Sequence, residues 1–312
     1  MSIFHSGKSG GVSPLDSLHV TPTDNLRITS VAFLEEKICY NEGVQMSEYS
    51  IDIQERARNL RVIDDELFRL VAGKQDVCQE ILRTLLDDPG LIVAAVVPQY
   101  TIVSFNREIT LDAFCRSSDG KYFNVEMQKG NRNDDVRRTR FHASSITASR
   151  MPKGAGFKDV PDVTVLYITE YDALDNHQTV TVSKRCSLNH GIYTPVNDGE
   201  AIVYANTAVK DGTPHTELLQ LLLRKDSFDS TKFQALSDAV KYFKDTEKGR
   251  EIVCKSIEEY GDTREQEGRK EGRREGGLLM LADLVKKGLL PVATAAEQAS
   301  MSPAEFKAKL LS

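Results

Sequence analysis

The chain has 312 residues, a hydrophobic share of 40%, a charged share of 28% and a formal net charge of −6, values typical of a globular protein that does not coat nucleic acid. It has no apolar run of about eighteen residues, and its N-terminus lacks the basic and apolar regions of a secretory signal, so we expect no membrane association. The five cysteines form no close pair, which predicts reduced thiols and a cytoplasmic location.

The first part of the chain contains a leader, two helices and a strand. Residues 1–50 have weak periodicity and a start rich in Gly, Ser, Thr and Pro, so we expect a disordered leader, with Met46 as an alternative start. Two short helices are predicted next, one over 64–73 and one over 75–88. A strand is expected at 100–106.

Residues 109–129, ITLDAFCRSSDGKYFNVEMQK, predict a β-hairpin that carries acids. In a three-residue loop with Gly120 in the left-handed conformation, Asp112 lies opposite Glu126, with about 5 Å between the Cβ atoms. A two-residue loop would place Asp112 opposite Met127, an acid beside a core residue, and is implausible. In the first strand, one face carries Ile109, Leu111, Ala113 and Cys115, and the other carries Thr110, Asp112 and Phe114. In the second strand, one face carries Phe123, Val125 and Met127, and the other carries Tyr122, Asn124, Glu126 and Gln128.

The opposed acids predict a metal site. Two carboxylates at this distance repel each other unless they share a proton or bind a cation. Two carboxylates and the Gln128 amide, with no nearby Cys or His, favour Mg²⁺ or Mn²⁺ over zinc. The alternative is two acids on the polar face of an exposed hairpin, since short motifs of this kind are common.

The segment after the hairpin is basic. Residues 129–158 carry eight bases and two acids, a local balance of +6, which is suited to a phosphodiester backbone beside a metal site. The alternative is a solvated helix face. The charged residues of this segment are Lys129, Arg132, Arg137, Arg138, Arg140, Arg150, Lys153, Lys158, Asp134 and Asp135.

The remaining elements complete an α/β core with a helical C-terminal extension. A buried strand at 163–168 should lie parallel to the second hairpin strand after a helical crossover. The other helices are predicted over 132–151, 214–224, 232–244, 292–299 and 303–311. We place the core at 51–190, a mainly helical extension at 191–261, and a charged helical connector with a two-helix tail at 262–312. The tail resembles half of a helix-turn-helix, but it has few bases, so a protein contact or dimerisation is at least as plausible as DNA reading.

The order of these motifs resembles the PD-(D/E)XK nuclease superfamily, and within it the Rpn family of recombination-promoting nucleases, also called PD-(D/E)XK nuclease family transposases. The resemblance covers about residues 60–175, with a weaker match in the helical tail, and implies a restriction-endonuclease-like core, a mixed sheet flanked by helices. Each motif alone is unspecific, whereas their shared order and spacing are much more specific. The passages that carry it are Asp65-Glu-Leu-Phe68-Arg69, Asp112 with Glu126-Met127-Gln128, Arg138-Thr-Arg-Phe141-His142-Ala-Ser144, Lys153-Gly154-Ala-Gly-Phe157 and Leu166-Tyr-Ile168 with Tyr171-Asp172.

The resemblance implies the roles of the hairpin residues. Asp112 and Glu126 would be catalytic residues that bind Mg²⁺ or Mn²⁺, and Gln128 would be catalytic in place of the superfamily's usual lysine. Lys129 should point to the opposite side of the strand, so it is a poor replacement for that lysine. Asp65 would be either a further metal ligand or a helix N-terminal acid favoured by the dipole.

The resemblance also implies roles for the basic segment. Arg138 or Lys153 would supply the positive charge that Gln128 lacks. His142 would be a general base or, more in keeping with its position, a packed or phosphate-contacting side chain. Phe141 and Phe157 are expected in the core. The residues expected to bind DNA phosphates are Arg137, Arg138, Arg140 and Lys153.

Three functions are compatible with the sequence. The first is a Mg²⁺-dependent DNA endonuclease linked to recombination or transposition, with DNA as partner and a homodimer formed through the C-terminal helices. The second is a catalytically inactive DNA-binding or assembly protein that keeps the fold. The third is an adaptor without a nucleic-acid role, for which DNA binding would be absent or insensitive to salt.

Overall fold

The computed structural model describes residues 48–103, 108–131 and 133–310. The predicted leader up to residue 47, the alternative start Met46, Cys39 and Arg132 lie outside these residues. The helices are α1 Glu48–Asn59, α2 Asp65–Val71, α3 Gln75–Leu85, α4 Asp135–Arg150, α5 Pro214–Leu222, α6 Gln234–Asp245, α7 Glu247–Lys286, α8 Val292–Gln298 and α9 Pro303–Leu310. The strands are β1 Val93–Val103, β2 Glu108–Ser117, β3 Tyr122–Gln128, β4 Val163–Thr169, β5 Val180–Ser183, β6 Cys186–Asn189, β7 Ile192–Pro195 and β8 Glu200–Asn206.

The central sheet is mixed and has the strand order β1-β2-β3-β4-β8-β5. The strands β1, β2 and β3 are antiparallel neighbours, β4 lies parallel to β3 and to β8, and β5 runs antiparallel to β8. The parallel pairing of β3 with β4 was predicted, since α4 connects them. This mixed sheet with flanking helices confirms the expected fold class.

Helices cover both faces of the sheet. On one side, here called the broad face, α1, α2, α3, α5, α6 and the first part of α7 enclose a large apolar cluster that includes Leu67, Ile81 and Val125. On the other side, the α4 face, Ala143 and Ile146 of α4 pack on a smaller cluster. Strands buried on both faces must carry apolar side chains in both directions, as β4 and β8 do.

The predicted alternation holds in β3 but changes sides within β2. Ile109 and Leu111 belong to the cluster on the α4 face, whereas Ala113 and Cys115 belong to the broad face. The prediction of one common apolar face for β2 was therefore wrong. The change occurs at Asp112, opposite Gln99, whose backbone has a left-handed φ of 51°.

Most predicted elements lie close to their expected positions. The helices α2, α3, α5, α6, α8 and α9 are confirmed within a few residues, and so is the strand β4. The helix α1 was not predicted. The strand expected at 100–106 begins earlier, at Val93, and Pro98 is tolerated inside it because β1 is an edge strand.

The C-terminal part contains one long helix and a small helical cluster. The helix α7 runs without a break through Gly261, Gly268 and Gly272, so the boundary predicted at residue 262 falls inside it. Its last turns pack with α8 and α9 around Phe306. A capping box begins α9, since the side chains of Ser302 and Glu305 accept each other's backbone N–H groups.

Two aromatic side chains are not where the sequence placed them. Phe141 and Phe157 were expected in the core, but 39% of Phe141 and 96% of Phe157 is exposed. That prediction was wrong because Phe141 lies on the outer side of α4 and Phe157 lies in the surface turn that follows it. The described cysteines are free. Among the described helices, none has both the length and the apolar character needed to cross a membrane.

Candidate functional site

The register between β2 and β3 brings two acids together. Ala113 pairs with Val125, which places Asp112 across from Glu126. In the connecting loop Gly120 has a φ of 90°, a conformation that glycine adopts without steric cost. The predicted three-residue loop and its register are therefore confirmed.

Asp112 is half-buried and contacts β1 and β3. Its Oδ2 accepts the backbone N–H of Met127 at 3.0 Å, and its Oδ1 accepts Nε2 of Gln99 at 3.4 Å. Its own N–H donates to Oε1 of Glu126 at 3.3 Å. Burial and the charge of Glu126 raise the pKa of Asp112 well above its usual range. A cation placed beside these carboxylates would favour their charged forms.

Glu126 is only 7% exposed and has polar neighbours on two sides. Asn124 Nδ2 donates to its Oε1 at 2.7 Å, and His142 Nδ1 from α4 lies 3.4 Å from the same oxygen. Both neighbours are buried, so the packed position expected for His142 is observed. The predicted alternation placed Asn124 on the same strand face as Glu126, but it did not indicate this contact.

A third acid lies nearby at the start of α2. The charge of Asp65 contributes to the raised pKa of Asp112. The Oδ2 of Asp65 accepts the hydroxyl of Tyr260, from α7, at 2.7 Å. A tyrosine from the C-terminal part of the chain thus contacts the acid at the start of α2.

The residues at the end of β3 point in different directions. Gln128 Nε2 donates to the backbone carbonyl of Gly130 at 2.7 Å. Lys129 Nζ lies 2.9 Å from Oδ1 of Asp64, just before α2. This ion pair agrees with the predicted orientation of Lys129 away from the Gln128 side of the strand.

The helix α4 brings one arginine close to the acids and turns two others outward. Arg138 is half-buried, its Nη2 is 3.0 Å from Oδ2 of Asp134, and its guanidinium also interacts with the charge of Glu126. Arg137 and Arg140 are exposed, and neither forms an ion pair within the part of the chain that the structure describes. The basic helix therefore presents free positive charge to solvent next to the buried acids.

Lys153 is separated from this group. It is exposed in the turn after α4, whereas the contact with Glu126 is made by His142 in the middle of the helix. At 1.5 Å per residue, His142 and the helix end at Arg150 are roughly 12 Å apart along the axis. Arg138 is therefore the better placed of the two bases expected to offset the missing lysine.

A buried polar cluster fixes the start of α4 to the sheet. The Oδ1 of Asp135 accepts the hydroxyls of Tyr167 at 2.8 Å and Tyr171 at 2.6 Å, and Thr139 bonds the hydroxyl of Tyr204. Burial and the hydrogen bond to Asp135 raise the pKa values of both Tyr167 and Tyr171. The sequence analysis counted Asp135 only as an acid in a basic segment and missed this anchor.

A second group of possible ligands lies in the loop after β4. Oxygen and nitrogen atoms of Asp172, Asp175 and His177 lie within 4.8 Å of one another, and Asp175 and His177 are exposed. The carboxylate of Asp172 already accepts the backbone N–H groups of Leu174 and His177. Local turn bonds account for this group, so we assign it no role.

The family comparison covers the acid pair. Residues 67–198 match the model of the family described as PD-(D/E)XK nuclease family transposase, which confirms the resemblance expected from the motifs. Asp112, Glu126 and α4 lie inside the matched residues, whereas Asp65 and Tyr260 lie outside them. No curated protein and no solved structure matches the chain.

Proposed function

We propose that the chain, whose residues 67–198 match the model of the PD-(D/E)XK nuclease family transposases, acts as a divalent-metal-dependent DNA endonuclease in recombination or transposition. The observation that carries the proposal is the placement of Asp112 across from Glu126, beside the basic helix α4. A cytoplasmic location and DNA as the partner are parts of the same proposal.

The donor set fits a hard divalent cation. Asp112 and Glu126 offer carboxylate oxygens, and the raised pKa of Asp112 results from burial and from a neighbouring negative charge. Oxygen-only ligands favour Mg²⁺ or Mn²⁺. When bound, such an ion supplies charge neutralisation on a phosphate and a lowered pKa of water. Asp65 is proposed as an additional ligand on the resemblance of Asp65-Glu-Leu-Phe68-Arg69 to the opening motif of the family.

The other residues of the site would orient the substrate. The Gln128 amide can hydrogen-bond the attacking water once it leaves the carbonyl of Gly130, but it adds no positive charge. Arg138 is the proposed source of that charge, because it lies close enough to interact with Glu126. The proposed phosphate-binding residues are Arg137, Arg138, Arg140 and Lys153.

The test is cleavage of supercoiled plasmid DNA with Mg²⁺ or Mn²⁺. Asp112→Ala and Glu126→Ala should each lower the rate on the order of 10³-fold, because the metal supplies several kcal/mol and about 1.4 kcal/mol is a factor of ten. Asp119→Ala removes an exposed acid from the loop of the same hairpin and should cleave like the wild type. Equal cleavage rates for the wild type and the two acid variants would show that Asp112 and Glu126 are not catalytic.

A second candidate is a DNA-binding or assembly protein that does not cleave. The observation in its favour is Gln128, whose amide is bonded to Gly130 rather than to an acid. In that case the wild type binds DNA without cutting it under any metal condition. Gln128→Lys restores the usual lysine, and cleavage by this variant alone would support an inactive site on an intact fold.

The proposed homodimer would form through the C-terminal helices. Leu279, Met280 and Leu289 are 62–72% exposed on the last turns of α7 and the loop after it. Exposed apolar side chains grouped in one small unit are typical of an interface. Light scattering should give a dimer mass for the wild type and a monomer mass for Leu279→Glu. Leu188→Glu, an exposed leucine of β6, is the matched control and should leave the mass unchanged.

A further inference from the structure

The outer side of α4 exposes an aromatic ring among arginines. Phe141 is 39% exposed, although phenylalanine is usually buried. Arg137 and Arg138 lie four and three residues before Phe141, so both are its neighbours on the helix surface, with roughly 5–6 Å between Cβ atoms. Among the described residues, the Phe141 ring stacks on no other aromatic ring and on no cation. Part of this side chain is therefore accessible to a ligand.

Phe141 lies on the flank of α4, between the acid pair and solvent. His142, the next residue, faces the sheet, and its Nδ1 lies 3.4 Å from Oε1 of Glu126. At roughly 3.6 residues per turn, Phe141 is turned about 100° away from His142 and about 60° away from Arg138. Arg138 lies one turn before His142, and its Nη2 is 3.0 Å from Oδ2 of Asp134. A DNA strand that reaches the acids past Arg138 would therefore pass beside Phe141.

The charge around Phe141 favours an anionic occupant. Residues 129–158 have a balance of +6, and Arg137 and Arg140 are exposed, with no ion pair in the described part of the chain. An apolar protein surface that covered this flank would have to bury unpaired guanidinium groups, which is unfavourable. A nucleic-acid strand offers phosphates to the arginines and flat rings to the phenyl group. The combination of charge and aromatic surface thus fits a nucleic acid better than a second protein.

A base can stack on Phe141 only where it is not paired. In a continuous duplex the faces of each base are covered by its neighbours, and extruding a base costs free energy unless it is already unpaired or mismatched. Aromatic side chains next to basic groups are typical stacking platforms for single-stranded nucleic acids.

We propose that Phe141 forms a stacking site for an unpaired base of the DNA strand, whose flanking phosphates bind to Arg137 and Arg138. This inference rests on the proposed function, and it deepens that function by naming the substrate class. The substrate is DNA that contains unpaired nucleotides close to the cleavage site, rather than continuous duplex.

The first test compares two DNA duplexes of equal length, one fully paired and one with a short mismatched bubble. Their phosphate charge is the same, so a difference in binding reports the unpaired bases. In fluorescence anisotropy with the full-length chain and EDTA, the wild type should bind the bubble about tenfold more tightly, and Phe141→Ala should lose this preference. Phe141→Tyr keeps a ring and should retain the preference. Phe157→Ala, at an exposed phenylalanine in the turn after α4, is the matched control and should bind both duplexes like the wild type.

The second test uses tryptophan fluorescence, since the chain contains no tryptophan. Phe141→Trp keeps an aromatic ring at the site and introduces a single reporter. Its emission should be quenched when the bubble duplex is added, because a base then contacts the indole directly, and should change little with the paired duplex. Phe157→Trp places the reporter in the surface turn, and neither DNA should quench its emission.

Each other outcome overturns a defined part of the argument. If Phe141→Ala keeps the preference for the bubble, Phe141 is not a stacking residue. If it weakens binding of both duplexes equally, Phe141 contacts DNA without selecting an unpaired base, and the substrate class is wrong. If Phe141→Ala instead lowers the mass in light scattering, the ring belongs to a contact between copies of the chain.

The tests also separate this inference from the proposed function. If the wild type binds both duplexes equally but cleaves plasmid DNA in a manner that requires Asp112 and Glu126, the inference is wrong and the proposed function stands. If the wild type binds neither duplex and cleaves no plasmid, both are wrong.

Discussion

The broad face of the sheet is packed mainly with aliphatic and aromatic side chains, whereas the α4 face also encloses Asn124, Glu126, Asp135 and His142. On the broad face Leu82 and its neighbours contribute mainly through apolar burial. On the α4 face much of the buried surface belongs to groups that must be hydrogen-bonded to be tolerated.

Only some of the buried polar atoms on the α4 face form hydrogen bonds. Asp135 receives two tyrosine hydroxyls, but Asn124 Oδ1 and His142 Nδ1 lack hydrogen-bond partners among the described residues. Unsatisfied polar atoms lower the stability of the folded state. The larger apolar cluster therefore lies on the broad face, while the α4 face buries unpaired polar atoms beside Glu126 and the basic helix α4.

The largest effect on stability is expected on the broad face. Leu82→Ala removes a fully buried side chain of α3 and should lower the free energy of unfolding by about 3 kcal/mol. Plasmid cleavage measured well below the unfolding temperature should not change, because Leu82 belongs to the apolar cluster of the broad face and has no proposed role in the site. Leu188→Ala, at an exposed leucine of β6, is the matched control for urea unfolding and should change stability by no more than about 0.5 kcal/mol.

A smaller effect is expected at the polar anchor of the α4 face. Tyr167→Phe removes one of the two hydroxyls bonded to Asp135 and should cost about 1–2 kcal/mol in urea unfolding. Combining it with Tyr171→Phe should cost more than the sum, because the buried carboxylate then loses both tyrosine donors. Tyr193→Phe, on the exposed strand β7, serves as the control. Strictly additive losses would show that Asp135 is solvated and does not anchor α4.

The sequence predicted the hairpin because its determinants are local. The alternation in β3 and the left-handed Gly120 fix the register of Asp112 and Glu126 without any distant residue. The pairing of Tyr260 with Asp65 depends on how two helices dock, and no local pattern encodes such a contact.

The incorrect predictions have the same origin. Phe157 was assigned to the core because of its residue type. It lies in a surface turn, where 96% of the residue is exposed. The change of side in β2 lies opposite Gln99, a residue of the neighbouring strand with a left-handed φ, so the pattern of β2 alone cannot reveal it. Local periodicity thus predicts elements and register, whereas contacts between elements require the structure.

DNA binding by the outer side of α4 should appear in its salt dependence. Arg137→Ala and Arg140→Ala should each reduce the slope of log affinity against log salt by about 1, because each removes one phosphate contact. Fluorescence anisotropy with a short duplex at several salt concentrations measures this slope. Lys232→Ala removes an exposed base near α6, on the broad face, and should leave the slope unchanged. Equal slopes for all variants would show that DNA does not bind to the outer side of α4.

The smallest effect is expected from two carboxylates whose pKa values are shifted in opposite directions. Burial would raise the pKa of Asp64, but hydrogen bonds from Arg61 and Lys129 outweigh it and lower that pKa. Burial and Glu126 raise the pKa of Asp112. In the metal-free protein at pH 7, Asp64→Asn should therefore lower the melting temperature and Asp112→Asn should raise it, by roughly 2–4 °C for each 1 kcal/mol.

The pH dependence gives the sign of each contribution. The stability contributed by Asp64 is present above its unfolded pKa of about 3.9 and is lost as the pH falls through its lower folded value. The stability contributed by protonated Asp112 is present below its unfolded pKa of about 3.9 and is lost as the pH rises through its higher folded pKa. In melting curves recorded with EDTA from pH 7 downward, the melting temperature of each variant should therefore approach that of the wild type. Asp64→Asn should approach it from below, and Asp112→Asn from above. A destabilised Asp112→Asn at pH 7 would mean that Asp112 supports the fold, and the contrast between the two faces would then no longer extend to their carboxylates.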